Sequence, residues 1–180
     1  MLDGGDGDDI VLMDGLDASV NGGSGTSTLV VQASLPVDID LAATEFEIVF
    51  GNGGDDIFDA SGVTDVNVRL DGGGGDDRLT AGQGDDALNG GAGNDSFVFG
   101  PNWGLDRIEG GFADNGVEKI VFDRAVTDAG GGALDFIDLT IQDDGAGNAE
   151  ISISGGGPDT ITIVGLDFNS LDQTDFVFET

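Results

Sequence analysis

Between Gly72 and Val98 the chain repeats a nine-residue pattern three times without a gap. The units are Gly72-Gly73-Gly74-Gly75-Asp76-Asp77-Arg78-Leu79-Thr80, Ala81-Gly82-Gln83-Gly84-Asp85-Asp86-Ala87-Leu88-Asn89 and Gly90-Gly91-Ala92-Gly93-Asn94-Asp95-Ser96-Phe97-Val98. Each has Gly at the fourth position, Asp at the sixth and a large apolar residue at the eighth. Glycine admits the positive φ of a tight turn and leaves backbone carbonyls accessible. The last three residues of a unit read as a short strand whose middle side chain points to a core. Two units then make one coil, and residues 18 apart lie above one another at about 4.8 Å. The fold class is therefore all-β, a parallel β-roll or β-helix of stacked repeats.

Further copies lie upstream. Gly4 to Leu12 carries Gly7, Asp9 and Val11, and Gly51 to Asp59 carries Gly54, Asp56 and Phe58, with Asn52 for the second Gly. In a decayed copy, Gly22 to Val30, Ser27 stands where Asp is expected. Spacing sorts the turns onto two edges of the stack. One edge is expected to hold 4–9, 22–27, 51–56, 72–77 and 90–95, with three extra residues absorbed near Ser61 to Asp65. The other is expected to hold 81–86 and the irregular stretch Phe99 to Asp106.

The chemistry of such turns points to calcium. Ca²⁺ is a hard cation that takes six to eight oxygens, and carbonyls with carboxylates supply them. The candidate ligands are the carboxylates of Asp9, Asp56, Asp77, Asp86 and Asp95, with Asp106 closing the second edge. Candidate backbone ligands are the first- and third-position residues Gly51, Gly53, Gly72, Gly74, Ala81, Gln83, Gly90 and Ala92. The fifth-position residues Asp76, Asp85 and Asn94 are read as facing solvent. Charge agrees: 36 acidic residues against 5 basic ones give −31, which repels a compact chain unless a multivalent cation neutralises it.

Composition also excludes. Residues 1 to 68 and 125 to 180 hold no Lys or Arg, which argues against nucleic acid and anionic membranes. No apolar run approaches a membrane-spanning length, so membrane insertion is not expected. Histidine and cysteine are absent, removing His-based catalysis, thiolate metal sites and disulfides. The EF-hand and dinucleotide-binding patterns are also missing. Carboxylate pairs for a glycosidase can be picked from so many acids that a picked pair says nothing. Asn94-Asp95-Ser96 matches a glycosylation sequon by chance. Trp103 is expected to pack at the junction after the roll. Met1-Leu2-Asp3-Gly4 lacks a signal peptide and runs almost at once into a repeat, which suggests a fragment or a short relative.

These nonapeptides resemble the RTX (repeats-in-toxin, haemolysin-type) calcium-binding family. Phe97-Val98-Phe99-Gly100 and Trp103-Gly104-Leu105-Asp106-Arg107-Ile108 look like the segment closing such an array. Asp159-Thr160-Ile161-Thr162-Ile163-Val164-Gly165 and Asp175-Phe176-Val177-Phe178 look like the family's C-terminal flank. The resemblance implies type I secretion through a dedicated transporter, an uncleaved C-terminal signal and an extracellular location.

Three regions are expected: an irregular β-helix over 1–68, a regular roll over 69–110 and a β cap with the secretion signal over 111–180. Upstream strands are expected at Thr28 to Gln32, Val37 to Leu41 and Phe46 to Phe50. The leading functional expectation is a non-enzymatic calcium-binding module that folds on Ca²⁺ outside the cell. The alternatives are an adhesin, surface-layer or ice-binding module, or an accessory domain of a larger secreted protease or polysaccharide-modifying enzyme.

Overall fold

A computed structural model describes residues 1–14, 17, 19–112 and 117–180. The chain winds between two walls. The strands in order are β1 (Leu2–Asp3), β2 (Ile10–Met13), β3 (Val20–Asn21), β4 (Thr28–Val31), β5 (Asp38–Asp40), β6 (Ile48–Phe50), β7 (Ile57–Asp59), β8 (Arg69–Gly74) and β9 (Arg78–Thr80). They continue as β10 (Ala87–Ala92), β11 (Ser96–Phe99), β12 (Leu105–Gly110), β13 (Lys119–Phe122), β14 (Leu139–Asp143), β15 (Ala149–Ile153), β16 (Thr160–Ile163) and β17 (Phe176–Phe178). One wall runs β2-β4-β6-β8-β10-β12-β16-β15-β14, and the other runs β5-β7-β9-β11-β13-β17. The short pair β1-β3 stands apart as a two-stranded sheet. Pairing is parallel except where β15 and β14 fold back on β16. The all-β roll expected from the repeat is the fold observed.

The eighth-position side chains, with apolar residues from outside the repeats, form two inward columns. Val11, Leu29, Val49, Leu70, Leu88 and Ile108 stack on the first wall. Ile39, Phe58, Leu79, Phe97, Ile120 and Phe176 stack on the second. All twelve are buried. A fully buried side chain of this size contributes about 1.5–3 kcal/mol, so the two columns are the hydrophobic spine. Leu70 pairs with Leu88 and Leu79 with Phe97, the 18-residue spacing expected from the sequence.

Strand limits differ slightly from expectation. Val37 falls outside β5, and so does Leu41, because Leu41–Thr44 forms one turn of α-helix, α1. Asp40 caps it, its Oδ1 accepting from Ala43 N at 3.1 Å. Beyond residue 110, β16 extends the first wall and β13 and β17 extend the second. The junction is packed with aromatics, with Trp103 buried 6.4 Å from the Phe99 ring and 5.5 Å from Phe122. Trp103 therefore packs where it was expected to.

Candidate metal centre

The edges are not sorted as the spacing suggested. Turns 4–9 and 22–27 lead onto the first wall at β2 and β4, as 81–86 leads onto β10. Turns 51–56, 72–77 and 90–95 instead lead off the first wall onto β7, β9 and β11. Turns 4–9 and 22–27 therefore share an edge with 81–86, opposite 51–56. The cause is the segment after β4. It makes a full coil through β5 and α1 before β6, so the turn above 22–27 is 41–47. The extra residues after β7 do lie in a long turn, 60–68, as expected.

On the edge that leads to the second wall, the sixth-position acids form a ladder. Oδ1 of Asp56 accepts from Val37 N at 2.9 Å, Oδ1 of Asp77 from Asp56 N at 2.8 Å, and Oδ1 of Asp95 from Asp77 N at 3.0 Å. Each carboxylate is thus oriented by the coil before it. The second oxygen, Oδ2, is buried in all three and has no hydrogen-bond partner. Burying such a group unpartnered costs free energy, which makes it a place for a counter-ion.

Where those oxygens point is shown by the glycine at the first position. A Cβ on Gly72 would overlap Asp77 Oδ2 and lie 2.8 Å from the carbonyl oxygen of Gly90 in the next coil. A Cβ on Gly51 would lie 2.9 Å from Asp56 Oδ2 and overlap the carbonyl of Gly72. One carboxylate oxygen and the first-position carbonyl of the following turn therefore converge between successive turns. Positive φ at the fourth-position glycines Gly75 (+124°) and Gly93 (+138°) shapes the turn around that space. The third-position carbonyls are engaged in the stack: Gly74 O accepts from Gly54 N at 2.8 Å and Ala92 O from Gly75 N at 2.9 Å. Gly53 lies half-buried beside Ser34. Hard oxygen donors, one carboxylate per turn and a space between turns fit Ca²⁺. Among the described residues no three acidic, His or Cys side chains cluster, so backbone oxygens must complete any such site.

The opposite edge is discontinuous. At its upper end Asp86 Oδ1 accepts from Val68 N and Asp106 Oδ1 accepts from Asp86 N, both at 2.8 Å, so these acids are brought together as expected. Asp86 differs from its counterparts because its Oδ2 also accepts, from Gly82 N at 2.8 Å. In the same turn Ala81 is buried, while Gln83 is exposed and its N–H donates to Val63 O. Asp106 Oδ2 is buried and unpartnered. At the lower end Asp9 Oδ2 is also unpartnered, and a Cβ on Gly4 would lie 3.0 Å from it and 2.5 Å from Gly22 O. Between them the pattern is replaced. Ser27 Oγ donates to Gly22 O at 3.0 Å, so a hydroxyl proton sits where a cation would bridge.

Burial raises the carboxyl pKa of Asp56, Asp77, Asp86, Asp95 and Asp106. Desolvation is the main cause for Asp56, Asp86 and Asp95. Asp77 is pushed up to about 6 by desolvation, with the charges of Asp56 and Asp95 adding to it. Asp106 is pushed up to about 9 by desolvation, reinforced by Asp86, Asp85 and Asp159. Arg69, Arg78 and Arg107 do not relieve this, since Arg69 and Arg107 pair with Glu109 and Arg78 with Glu179 on the outer faces.

Two acids in the ladders escaped the sequence reading. Glu47 Oε2 accepts from Ser27 N at 2.8 Å, taking the sixth-position place above the decayed turn. Glu118 is buried, and its charge helps to raise Asp95. Both stand two residues before a buried apolar residue, Val49 or Ile120, as every ladder Asp does, and that spacing is the signal that finds them. The fifth positions Asp76, Asp85 and Asn94 are exposed as expected, yet they form an outer ladder. Asp76 Oδ1 accepts from Asn94 N at 2.9 Å and Asp55 Oδ1 from Asp76 N at 2.9 Å.

Comparison with known proteins agrees with this geometry. Residues 48–66 and 69–99 match the RTX calcium-binding nonapeptide repeat, in four copies. No curated protein matches the chain. Among solved structures, the extracellular lipase LipA from Serratia marcescens aligns over 98% of this chain and 38% of its own, at 15% identity and a TM-score of 0.39. The chain thus spans well under half of that structure, and so weak a likeness carries no argument. The matched segments contain Asp56, Asp77, Asp86 and Asp95, so the chain carries RTX calcium-binding nonapeptide repeats stacked as a parallel β-roll.

Proposed function

We propose that this chain is a non-catalytic module whose folding is driven by Ca²⁺ outside the cell and whose C-terminal region carries a type I secretion signal. The repeats make it a calcium-binding structural module. The observation that carries the folding switch is the row of buried, unpartnered Oδ2 atoms of Asp56, Asp77 and Asp95, each oriented by the preceding coil. Asp77 would hold an ion with Gly72 and Gly90, and Asp56 with Gly51 and Gly72. Asp95, Asp9, Asp86 and Asp106 are the further candidates, with third-position carbonyls adding oxygens. Calcium would supply the positive charge that these carboxylates lack.

Without it, each like-charged pair about 4.8 Å apart costs on the order of 1 kcal/mol even at the dielectric of water. Several such pairs rival a domain's stability of about 5–15 kcal/mol. Extracellular modules of this chemistry bind Ca²⁺ at roughly 10⁻⁴–10⁻³ M, so cytosolic calcium would leave the roll open and external calcium would close it. Far-UV circular dichroism and Trp103 fluorescence during a Ca²⁺ titration test this. A cooperative gain of β-structure, with Mg²⁺ a poor substitute, is expected. Equal structure in excess chelator and in saturating calcium would refute it.

The division into 1–68, 69–110 and 111–180 is proposed as functional. The export signal lies in the last part, and residues 111–180 would add no regular calcium row. Removing residues 121–180 is expected to abolish export through a type I transporter while synthesis continues; unchanged export would place the signal elsewhere. No helix among the described residues is long and apolar enough to cross a membrane. Outward positions Ile57, Arg78, Ser96 and Lys119 stack as a mixed column, which does not favour an adhesive or ice-binding face.

A further inference from the structure

We propose that Asp159 completes a cation site with Asp106 at the junction of roll and cap, so that the ion also fastens the C-terminal region to the last coil. The inference rests on the calcium reading above.

Asp106 is the last acid of its ladder. Its Oδ1 is held by Asp86 N, and its Oδ2 is buried without a partner. In every lower coil the position above a sixth-position residue belongs to another turn of the roll. Here the register β12–β16 sets Asp106 against Ile161, a buried apolar side chain that offers no oxygen. The sequence Asp159-Thr160-Ile161 imitates the acid-x-apolar spacing of the repeat, but the pairing Arg107↔Thr162 shifts it two residues out of phase. Asp159 therefore arrives level with Gly104, not on the ladder.

That displacement brings it to the unfilled acid. Thr160 N donates to Gly104 O at 2.9 Å, which anchors the backbone beside Asp159. Strand alternation puts residue 159 on the same side as Ile161, the side on which Asp106 lies. Asp159 is half-buried, its carboxylate has no hydrogen-bond or ion-pair partner among the described residues, and its charge is felt by Asp106. The two carboxylates thus lie on one side of the β12–β16 pair, while Arg107 turns to Glu109. A cavity of about 440 Å³ lined by Pro101, Asn102, Trp103, Pro158 and Asp159 opens at Asp159, which would give a hydrated ion a way in and room for water ligands.

Trp103 makes the site separately observable. It is the sole tryptophan, stands three residues before Asp106 and lines the cavity; tyrosine is absent. Tb³⁺ in place of Ca²⁺ should luminesce on tryptophan excitation when bound there, and calorimetry counts all ions together. Asp159→Asn, which keeps the side-chain size, is expected to drop the sensitised emission to near background and lower the Ca²⁺ count by one. Asp159→Glu, which keeps the carboxylate, and Asp77→Asn, on the opposite edge, are expected to retain emission. Undiminished emission in Asp159→Asn overturns the proposal. So does a wild-type chain that binds ions by calorimetry but shows no sensitised emission. A wild-type chain that binds no calcium at all overturns the calcium reading instead.

Discussion

Acidifying the metal-free chain should fold it. Asp77 lies at about 6 and Asp106 at about 9, against an ordinary 3.8, chiefly because both are desolvated. A carboxyl raised in the folded state holds its proton there while the unfolded chain has lost it. The stability it contributes is therefore complete below about 3.8 and is lost as pH rises, through about 6 for Asp77 and about 9 for Asp106. Going from about pH 7 to about pH 5, the linkage relation at about 1.4 kcal/mol per pH unit gives about 3 kcal/mol from Asp106 and about 1 kcal/mol from Asp77. The sum, about 4 kcal/mol, is near a thousandfold in the folding equilibrium. Asp56, Asp86, Asp95 and Asp159 are raised too and act in the same direction. Asp144, Asp167 and Asp172, held low by hydrogen bonds from neighbouring N–H and side-chain groups, oppose them, but they lie in solvent. Bound Ca²⁺ should reverse the trend, because the cation favours the ionised carboxylates and protons compete with it. The assay is far-UV circular dichroism against pH, once in metal-stripped buffer and once in saturating calcium. The two curves are expected to run in opposite directions. Metal-free protein whose β-structure is flat or falls between about pH 7 and about pH 5 would refute the reasoning.

Other substitutions separate the two edges. Asp77→Ala and Asp95→Ala should couple by about 0.5–3 kcal/mol in a double-mutant cycle of calcium-dependent stability, since their carboxylates occupy successive turns of one ladder and the charge of Asp95 acts on Asp77. Asp77→Ala and Asp86→Ala, on opposite edges, should add within about 0.5 kcal/mol. Gly72→Ala should remove one ion by calorimetry and cost about 1–3 kcal/mol as its methyl meets Asp77 Oδ2 and Gly90 O. Gly74→Ala meets nothing closer than Ala92 O at 3.7 Å and should keep the full ion count. Ser27→Asp, which removes the proton bridging to Gly22 O, should add one ion in saturating calcium and destabilise the metal-free chain at neutral pH by on the order of 1 kcal/mol.

The sequence by itself determined the coil. Gly at the fourth position, Asp at the sixth and an apolar residue at the eighth are each demanded locally: by turn geometry, by the need for a charged oxygen and by alternation along a strand. Those demands do not depend on what lies elsewhere in the chain. The roll over 69–98, the pairing of Asp77 with Asp95 and that of Asp86 with Asp106 were therefore legible from spacing. Stacking is different, because it depends on how much chain each coil consumes. The coil through β5 and Leu41–Thr44 has no repeat to count by, and so turns 4–9 and 22–27 fall on the edge opposite 51–56. For the same reason Glu47 could take a ladder position outside any recognisable repeat, while Asp159, which imitates the spacing, is two residues out of phase. Local chemistry fixes which residue can occupy a turn; only the register between coils decides which oxygens face one another.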